Sequence, residues 1–97
     1  MKKLIFGYGV TGRSVEEYFQ KSNINYLIYD ENKEINISNN LIFEPSMISE
    51  IDEVIISPGV KPNNSLLNEF YSIEKPVITD IDIFNNIYKG KIIGITG

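Results

Sequence analysis

Cysteine and histidine are both absent from the 97-residue chain, and Arg13 is its only arginine. Without cysteine there is no disulfide, no thiolate nucleophile and no Cys-ligated zinc. Without histidine, neither a Ser-His-Asp triad nor a histidine metal site can be built from this chain alone. Positive charge is scarce as well: nine Lys and Arg stand against thirteen Asp and Glu, a net charge of −4. That balance argues against non-specific nucleic-acid binding, which rests on neutralising phosphates with Lys and Arg. It leaves room for a single nucleotide, because backbone N–H groups hold a phosphate without net positive charge. No apolar run approaches the roughly 18 residues that a membrane span needs. The opening Met1-Lys2-Lys3-Leu4-Ile5-Phe6 has a basic tip, but its apolar run breaks at Gly7, too early for a secretory signal. The expectation is a cytoplasmic protein with no membrane partner.

What is present is an ordinary globular composition, 42% hydrophobic and 23% charged. A chain of this length makes one small domain that buries somewhat over ~60% of its unfolded surface. Short apolar runs alternate with amphipathic stretches, the pattern of an α/β domain. The expected fold is a Rossmann-like three-layer domain, with a parallel sheet of about five strands and helices on both faces. Strands are predicted at Lys3–Phe6, Tyr26–Tyr29, Val54–Ile56 and from Pro76 to Ile78, with a weak one at Leu41–Phe43. The first helix is predicted from about Gly12 to Lys21, with Val15, Tyr18 and Phe19 on one buried stripe. Residues 31–40 are polar and Asn-rich, a loop. Ser46–Ile51 reads as a short helix capped by Ser46. A longer helix over Ser65–Ile73 follows Asn63 or Asn64 as cap, with Leu66, Leu67, Phe70 and Ile73 inward. Asp80–Tyr88 is predicted helical, with Ile83, Phe84 and Ile87 inward. The last apolar run, Lys91–Ile95, either belongs to this sheet or opens a following domain.

Gly7-Tyr8-Gly9-Val10-Thr11-Gly12 is a G-x-G-x-x-G loop between a predicted strand and a predicted helix, the context this motif requires. Gly7 permits the sharp turn out of the strand, Gly9 lets the backbone approach a pyrophosphate, and Gly12 lets the helix pack close to the sheet. The first free N–H groups of the helix then face the phosphate, and the Thr11 hydroxyl can add a donor. Otherwise these are simple turn glycines. Asp30 lies 18 residues after Gly12 at the end of the second strand, near the ~20 of dinucleotide-binding folds. Its carboxylate can accept from ribose hydroxyls or from a uracil ring N–H; the plainer reading is a strand-end Asp facing water or capping a turn. Ser57 and Gly59 follow the strongest strand, where an open parallel sheet binds its ligands. Either they donate to a phosphate or Ser57-Pro58-Gly59 is only a turn. Of the tyrosines, only Tyr8 sits where it could touch a ligand. Glu31, Glu34 and Glu44 read as a solvated surface, not a metal site.

Three segments, GYGVTGRS, VIISPGVKP, and TDIDIF followed by KIIGITG, together resemble the N-terminal domain of the Mur ligases, nearest their D-glutamate-adding branch. The likeness runs through the whole chain in order, although residues 31–50 contribute little. The Ser-Pro-Gly turn and the closing Gly94-Ile95-Thr96-Gly97 are its discriminating parts. The resemblance implies residues 1–90 as a UDP-substrate-binding domain, and residues 91–97 as the first strand and start of the P-loop of a central ATP-binding domain. It implies a ligase of peptidoglycan precursor synthesis, tied to cell shape and division, that joins D-glutamate to UDP-MurNAc-L-alanine through an ATP-derived acyl phosphate. ATP and magnesium belong to the full-length enzyme. This portion is expected to hold no cofactor or metal, to supply no catalytic residue and to be inactive alone. Carried over by position, Gly9, Val10, Thr11 and Gly12 lie along the diphosphate. Asp30, Glu31 and Asn32 meet the uracil, and Ser57 and Gly59 complete the phosphate cradle. Family members often carry Thr-Arg where this chain has Glu31-Asn32, so a cation near the nucleotide is lost.

Two other classes share parts of this pattern. A regulatory NAD-binding module of the potassium-transport type also opens with G-Y-G-x-x-G-R and has an aspartate after its second strand, but is not expected to carry Ser-Pro-Gly or to end in Ile-Thr-Gly. A small Rossmann-like interaction protein would bind no nucleotide at all.

Overall fold

The computed structural model describes residues 2–32, 34–61 and 63–85. Four strands form one parallel sheet: β1 (Lys2–Phe6), β2 (Tyr26–Tyr29), β3 (Ile51–Ile56) and β4 (Val77–Thr79). Their order across the sheet is β2-β1-β3-β4. β1 pairs with β2 from Lys3↔Tyr26 to Phe6↔Tyr29 and with β3 from Lys3↔Glu53 to Phe6↔Ile56. Leu4–Phe6 of β1, Tyr26–Tyr29 and Val54–Ile56 of β3 are continuous apolar runs because a parallel sheet covered on both faces buries both sets of alternating side chains. Leu4, Phe6, Leu27 and Val54 face α2 (Ser65–Ser72), packing with Leu66, Leu67 and Phe70. Ile5, Tyr26, Ile28 and Ile55 face α1 (Val10–Lys21), packing with Val15 and Phe19. The result is the expected three-layer, Rossmann-like α/β domain.

The sheet has four strands among the described residues, fewer than predicted. Leu41–Phe43 makes a single parallel bridge, Ile28↔Ile42, rather than a strand. The 3-10 turn Asn39–Leu41 precedes it, and Pro45 follows at the start of another 3-10 turn, Pro45–Glu50. A ladder has no room to propagate between them. That second turn replaces the helix predicted over Ser46–Ile51: Glu44, not Ser46, is its cap, and Ile51 opens β3. The first helix begins at Val10 rather than Gly12, so Gly12 lies inside its first turn, fully buried. Asn64 is the cap of α2, its Oδ1 accepting from Leu66 N–H and Leu67 N–H at 2.9 and 3.2 Å. Ile73 is the C-cap of α2 and is exposed, not inward as predicted. Residues 80–85 are helical, and the start is tied by reciprocal Thr79 and Asp82 contacts, with Thr79 N–H donating to Asp82 Oδ2 at 3.0 Å. Ile83 and Phe84 pack onto the α1 face as expected. Ile87 and the run Lys91–Ile95 lie outside the described residues.

Two glycines of the loop have opposite tolerances. A Cβ on Gly12 would overlap the Gly7 carbonyl oxygen and press on Ile5 Cγ2 at 3.2 Å, whereas a Cβ on Gly9 meets nothing within 4 Å. Gly12→Ala is therefore expected to destabilise the fold by about 1–3 kcal/mol, the range for overpacking a rigid contact. Gly9→Ala is expected to cost no more than about 1 kcal/mol, through a poorer helix cap. Urea denaturation of both variants checks this order; equal costs would contradict it.

Candidate functional site

In this sheet the chain passes from β1 to β2 on one side and then back past β1 to β3 on the other. The carboxyl ends of β1 and β3 are thus the crossing point at which an open α/β sheet leaves a crevice. A cleft of about 590 Å³ opens there, within the size range of small-molecule sites. Its wall includes Gly7, Gly9, Val10 and Thr11 from the glycine loop, Asp30 and Glu31 from the end of β2, and Ser57, Pro58, Gly59 and Val60 from the turn after β3. Lys61, Asn63 and Asn64 complete it.

Gly7 holds this arrangement together. Its φ is +102°, a left-handed conformation that favours glycine. Its N–H donates to the Tyr29 carbonyl at 2.7 Å, and its carbonyl accepts from the Ser57 hydroxyl at 3.0 Å. The chain then turns into α1 through Gly9, which caps the helix with no side-chain hydrogen bond, and no acidic residue occupies the first turn. Among the described residues, the N–H groups of Val10, Thr11 and Gly12 find no acceptor; the first bonded one is Arg13 N–H, to Gly9 O at 3.0 Å. Bare helix-start donors together with the helix dipole make an anion site. Val10 is 86% exposed at that edge.

The sequence-nominated residues separate into two groups. Gly9, Val10, Thr11, Asp30, Glu31, Ser57 and Gly59 line the one cleft. Gly12 and Asn32 do not line it: Gly12 is buried under the loop, and Asn32 faces a neighbouring hollow with Ile35 and Ile42. Ser57 spends its proton on Gly7 O, so its hydroxyl presents an acceptor to the cleft while the Gly59 N–H stays free among the described residues. Asp30 is tied to the protein, accepting from Tyr8 N–H at 2.7 Å and from Asn32 N–H at 2.8 Å. Glu31, Glu34 and Glu44 are all exposed, as expected of a solvated surface, and Glu31 Oε1 also accepts from Asn64 Nδ2.

Tyr8 turns away from the cleft. Its hydroxyl donates to Glu16 Oε1 at 2.6 Å, and the Tyr26 hydroxyl donates to Glu16 Oε2 at 2.7 Å while accepting from Gln20 Nε2. The Arg13 guanidinium lies 5.1 Å from the Tyr8 ring centroid, a cation–π contact that parks the only arginine outside the cleft. Lys61 is therefore the cation on the cleft wall among the described residues. Sequence reasoning missed Lys61 and Asn64; Asn64 was legible as a helix cap, while nothing local signalled that its amide would face the cleft. Among the described residues no group of three or more acids could hold a metal, and no helix is long and apolar enough to cross a membrane.

A covered parallel sheet with a bare helix start at its crossing point places the molecule among Rossmann-like domains. Comparison with known sequences narrows this: the chain belongs to the Mur ligase MurD-like N-terminal domain family, which matches residues 1–79. It is 34% identical over 110 residues to UDP-N-acetylmuramoylalanine--D-glutamate ligase of Lachnoclostridium phytofermentans, covering 99% of this chain and 24% of that protein. The like-named protein of Leptospira borgpetersenii is 34% identical over 102 residues, with 100% of this chain and 22% of that protein covered. That of Aquifex aeolicus is 29% identical over 97 residues. The chain thus spans about a quarter of the length of these curated relatives.

Burial, aided by the Glu16 hydrogen bond, pushes the Tyr26 phenol up to about 12 from an ordinary 10.0. The fold favours the neutral phenol, so this contribution to stability is complete below pH 10 and is lost as pH rises through about 12. Urea midpoints of the unaltered chain are expected to fall across that window more than those of Tyr26→Phe. Parallel falls would show that Tyr26 is not the group responsible.

Proposed function

We propose that this chain holds the UDP end of UDP-MurNAc-L-alanine within a longer cytoplasmic ligase that adds D-glutamate during peptidoglycan precursor synthesis. The observation that carries this reading is the start of α1: the unpaired N–H groups of Val10 and Thr11, on an edge with no Cβ at Gly9, beside a cleft at the sheet's crossing point that both residues line. A diphosphate supplies the acceptors those donors lack, and the approach of its oxygens is unobstructed. The Gly59 N–H adds a donor from the opposite wall, and Lys61 offsets part of the phosphate charge. Membership of the MurD-like family supports the uridine ligand over a dinucleotide. In this reading Gly12 acts by letting the helix approach Gly7, and Asp30 by fixing the loop through Tyr8 N–H, while Asn32 stands outside the site.

ATP and magnesium chemistry, the acyl phosphate and the attack by D-glutamate are proposed for the full-length enzyme, outside the residues described. Cell-shape and division roles follow from that same placement in wall synthesis.

The test is calorimetric titration of the chain with UDP, UDP-MurNAc-L-alanine, NAD and NADH. The uridine ligands are expected to bind and the dinucleotides to bind more weakly; preference for NAD would overturn the proposal. Gly9→Val is expected to abolish uridine-ligand binding at a stability cost of about 1 kcal/mol, because the side chain enters the cleft rather than the core. Thr11→Ala is expected to weaken binding less. Normal binding by Gly9→Val would mean that the helix start is not the phosphate site.

A further inference from the structure

Tyr8 stands between the left-handed Gly7 and the helix cap Gly9, inside the glycine loop, yet its side chain leaves the cleft. Its two ends are anchored on different elements. The N–H donates to Asp30, just beyond β2, at 2.7 Å, and the hydroxyl donates to Glu16 Oε1 on α1 at 2.6 Å. Glu16 is half-buried, and its other oxygen accepts at 2.7 Å from the hydroxyl of Tyr26, the first residue of β2. One turn further along the same face of α1, Gln20 donates to the Tyr26 oxygen at 3.0 Å. One turn earlier, the Arg13 guanidinium covers the Tyr8 ring. A carboxylate presents an acceptor to each hydroxyl at once, whereas an amide has a single acceptor oxygen. The Glu16 hydrogen bond is the largest influence raising the Tyr8 phenol above its ordinary 10.0, which holds it in the donating form. Between Gly7 and Gly9, backbone of the most permissive kind, the Tyr8 side chain is the one handle by which α1 and β2 can fix the loop. A loop fixed before its ligand arrives need not be ordered on binding.

We propose that Glu16 is a positioning residue for the glycine loop. By holding the Tyr8 hydroxyl against α1 and the Tyr26 hydroxyl at the start of β2, it sets the main chain at Tyr8 and Gly9. It thereby sets the direction of the Val10 and Thr11 N–H groups without touching the ligand. This rests on the uridine-nucleotide reading of the cleft and adds to it the residue that prepares the loop. Electrostatics alone predicts the reverse sign, because an anion on the first turns of α1 repels phosphate and its removal would tighten binding.

That difference in sign is read by calorimetric titration of UDP into the unaltered chain and a set of variants. Tyr8→Phe removes one oxygen atom, and Glu16→Ala removes both acceptors. Glu17 pairs with Lys21 in solvent, so Glu17→Ala takes the same charge from the same helix outside the network. Protection of the β1 and β2 amides from hydrogen exchange verifies that each variant is folded; should Glu16→Ala not fold, Tyr8→Phe carries the test. Tyr8→Phe and Glu16→Ala are each expected to weaken UDP about tenfold, the size of ordering one released loop residue on binding. The double variant is expected to bind no more weakly than either single one, because the two remove the same contact. Glu16→Gln, which keeps one acceptor, is expected to weaken UDP less than Glu16→Ala does. Tyr26→Phe is expected to lower the urea midpoint while weakening UDP less than Tyr8→Phe does; a merely structural network would give the two the same effect on binding. Glu17→Ala is expected to bind UDP at least as tightly as the unaltered chain. Unchanged affinity in Tyr8→Phe, or affinity tightened in Glu16→Ala as in Glu17→Ala, would overturn this inference while leaving the uridine site standing. Failure of the unaltered chain to bind UDP would overturn the uridine reading and this inference with it.

Discussion

The main chain at Gly7 is pinned from three directions, and the rest of the cleft is laid out around it. Its N–H is held by the carbonyl of Tyr29 at the end of β2, its carbonyl by the hydroxyl of Ser57 beyond β3, and Gly12 of α1 presses directly on that carbonyl. The next N–H, of Tyr8, is fixed by Asp30. Two strand ends and a helix start thus converge on one left-handed glycine. None of these contacts needs a ligand, so the helix start is preorganised: its first donors are bare because no helical carbonyl precedes them and Gly9 has no side chain to cap them. Preorganised donors lose little on binding, because they need not be reordered.

The same economy explains why residues with ligand-like chemistry serve the scaffold. Asp30 has the position and charge of a ribose acceptor but secures the glycine loop; Ser57 has a donor that it gives to Gly7; the Arg13 guanidinium lies over the Tyr8 ring, whose hydroxyl donates to Glu16 on α1. Three glycines, Gly7, Gly9 and Gly59, bring bare backbone to the cleft wall, and Thr11, Asp30, Glu31, Ser57, Lys61, Asn63 and Asn64 are its polar residues.

Much of this was legible in the sequence, for physical reasons that differ by element. β2 was readable to the residue because Tyr26–Tyr29 is a short apolar run bounded by polar residues, and the glycine spacing announced both the turn and the close helix approach. Leu41–Phe43 was over-read: three apolar residues carry strand propensity, but the 3-10 turns at Asn39–Leu41 and Pro45–Glu50 leave a single bridge. Gly12 was nominated as the last glycine of the loop and Asn32 by its position in the family resemblance, and position in sequence does not tell which way a residue faces at a helix start or in a loop. The Glu31–Asn64 contact joins residues far apart in sequence, so no local pattern could reveal it. The asparagine cap was visible, whereas its second hydrogen bond belonged to the tertiary structure.

In the proposed function, the bare start of α1 receives the paired phosphates of a uridine nucleotide. Backbone amide NMR of the chain during titration with UDP tests it most directly. The N–H resonances of Val10, Thr11 and Gly59 are expected to move together and saturate, with those along α1 from Glu17 onward little changed. Saturable shifts confined to another surface, or no shift at Val10 and Thr11 at saturating UDP, would contradict it.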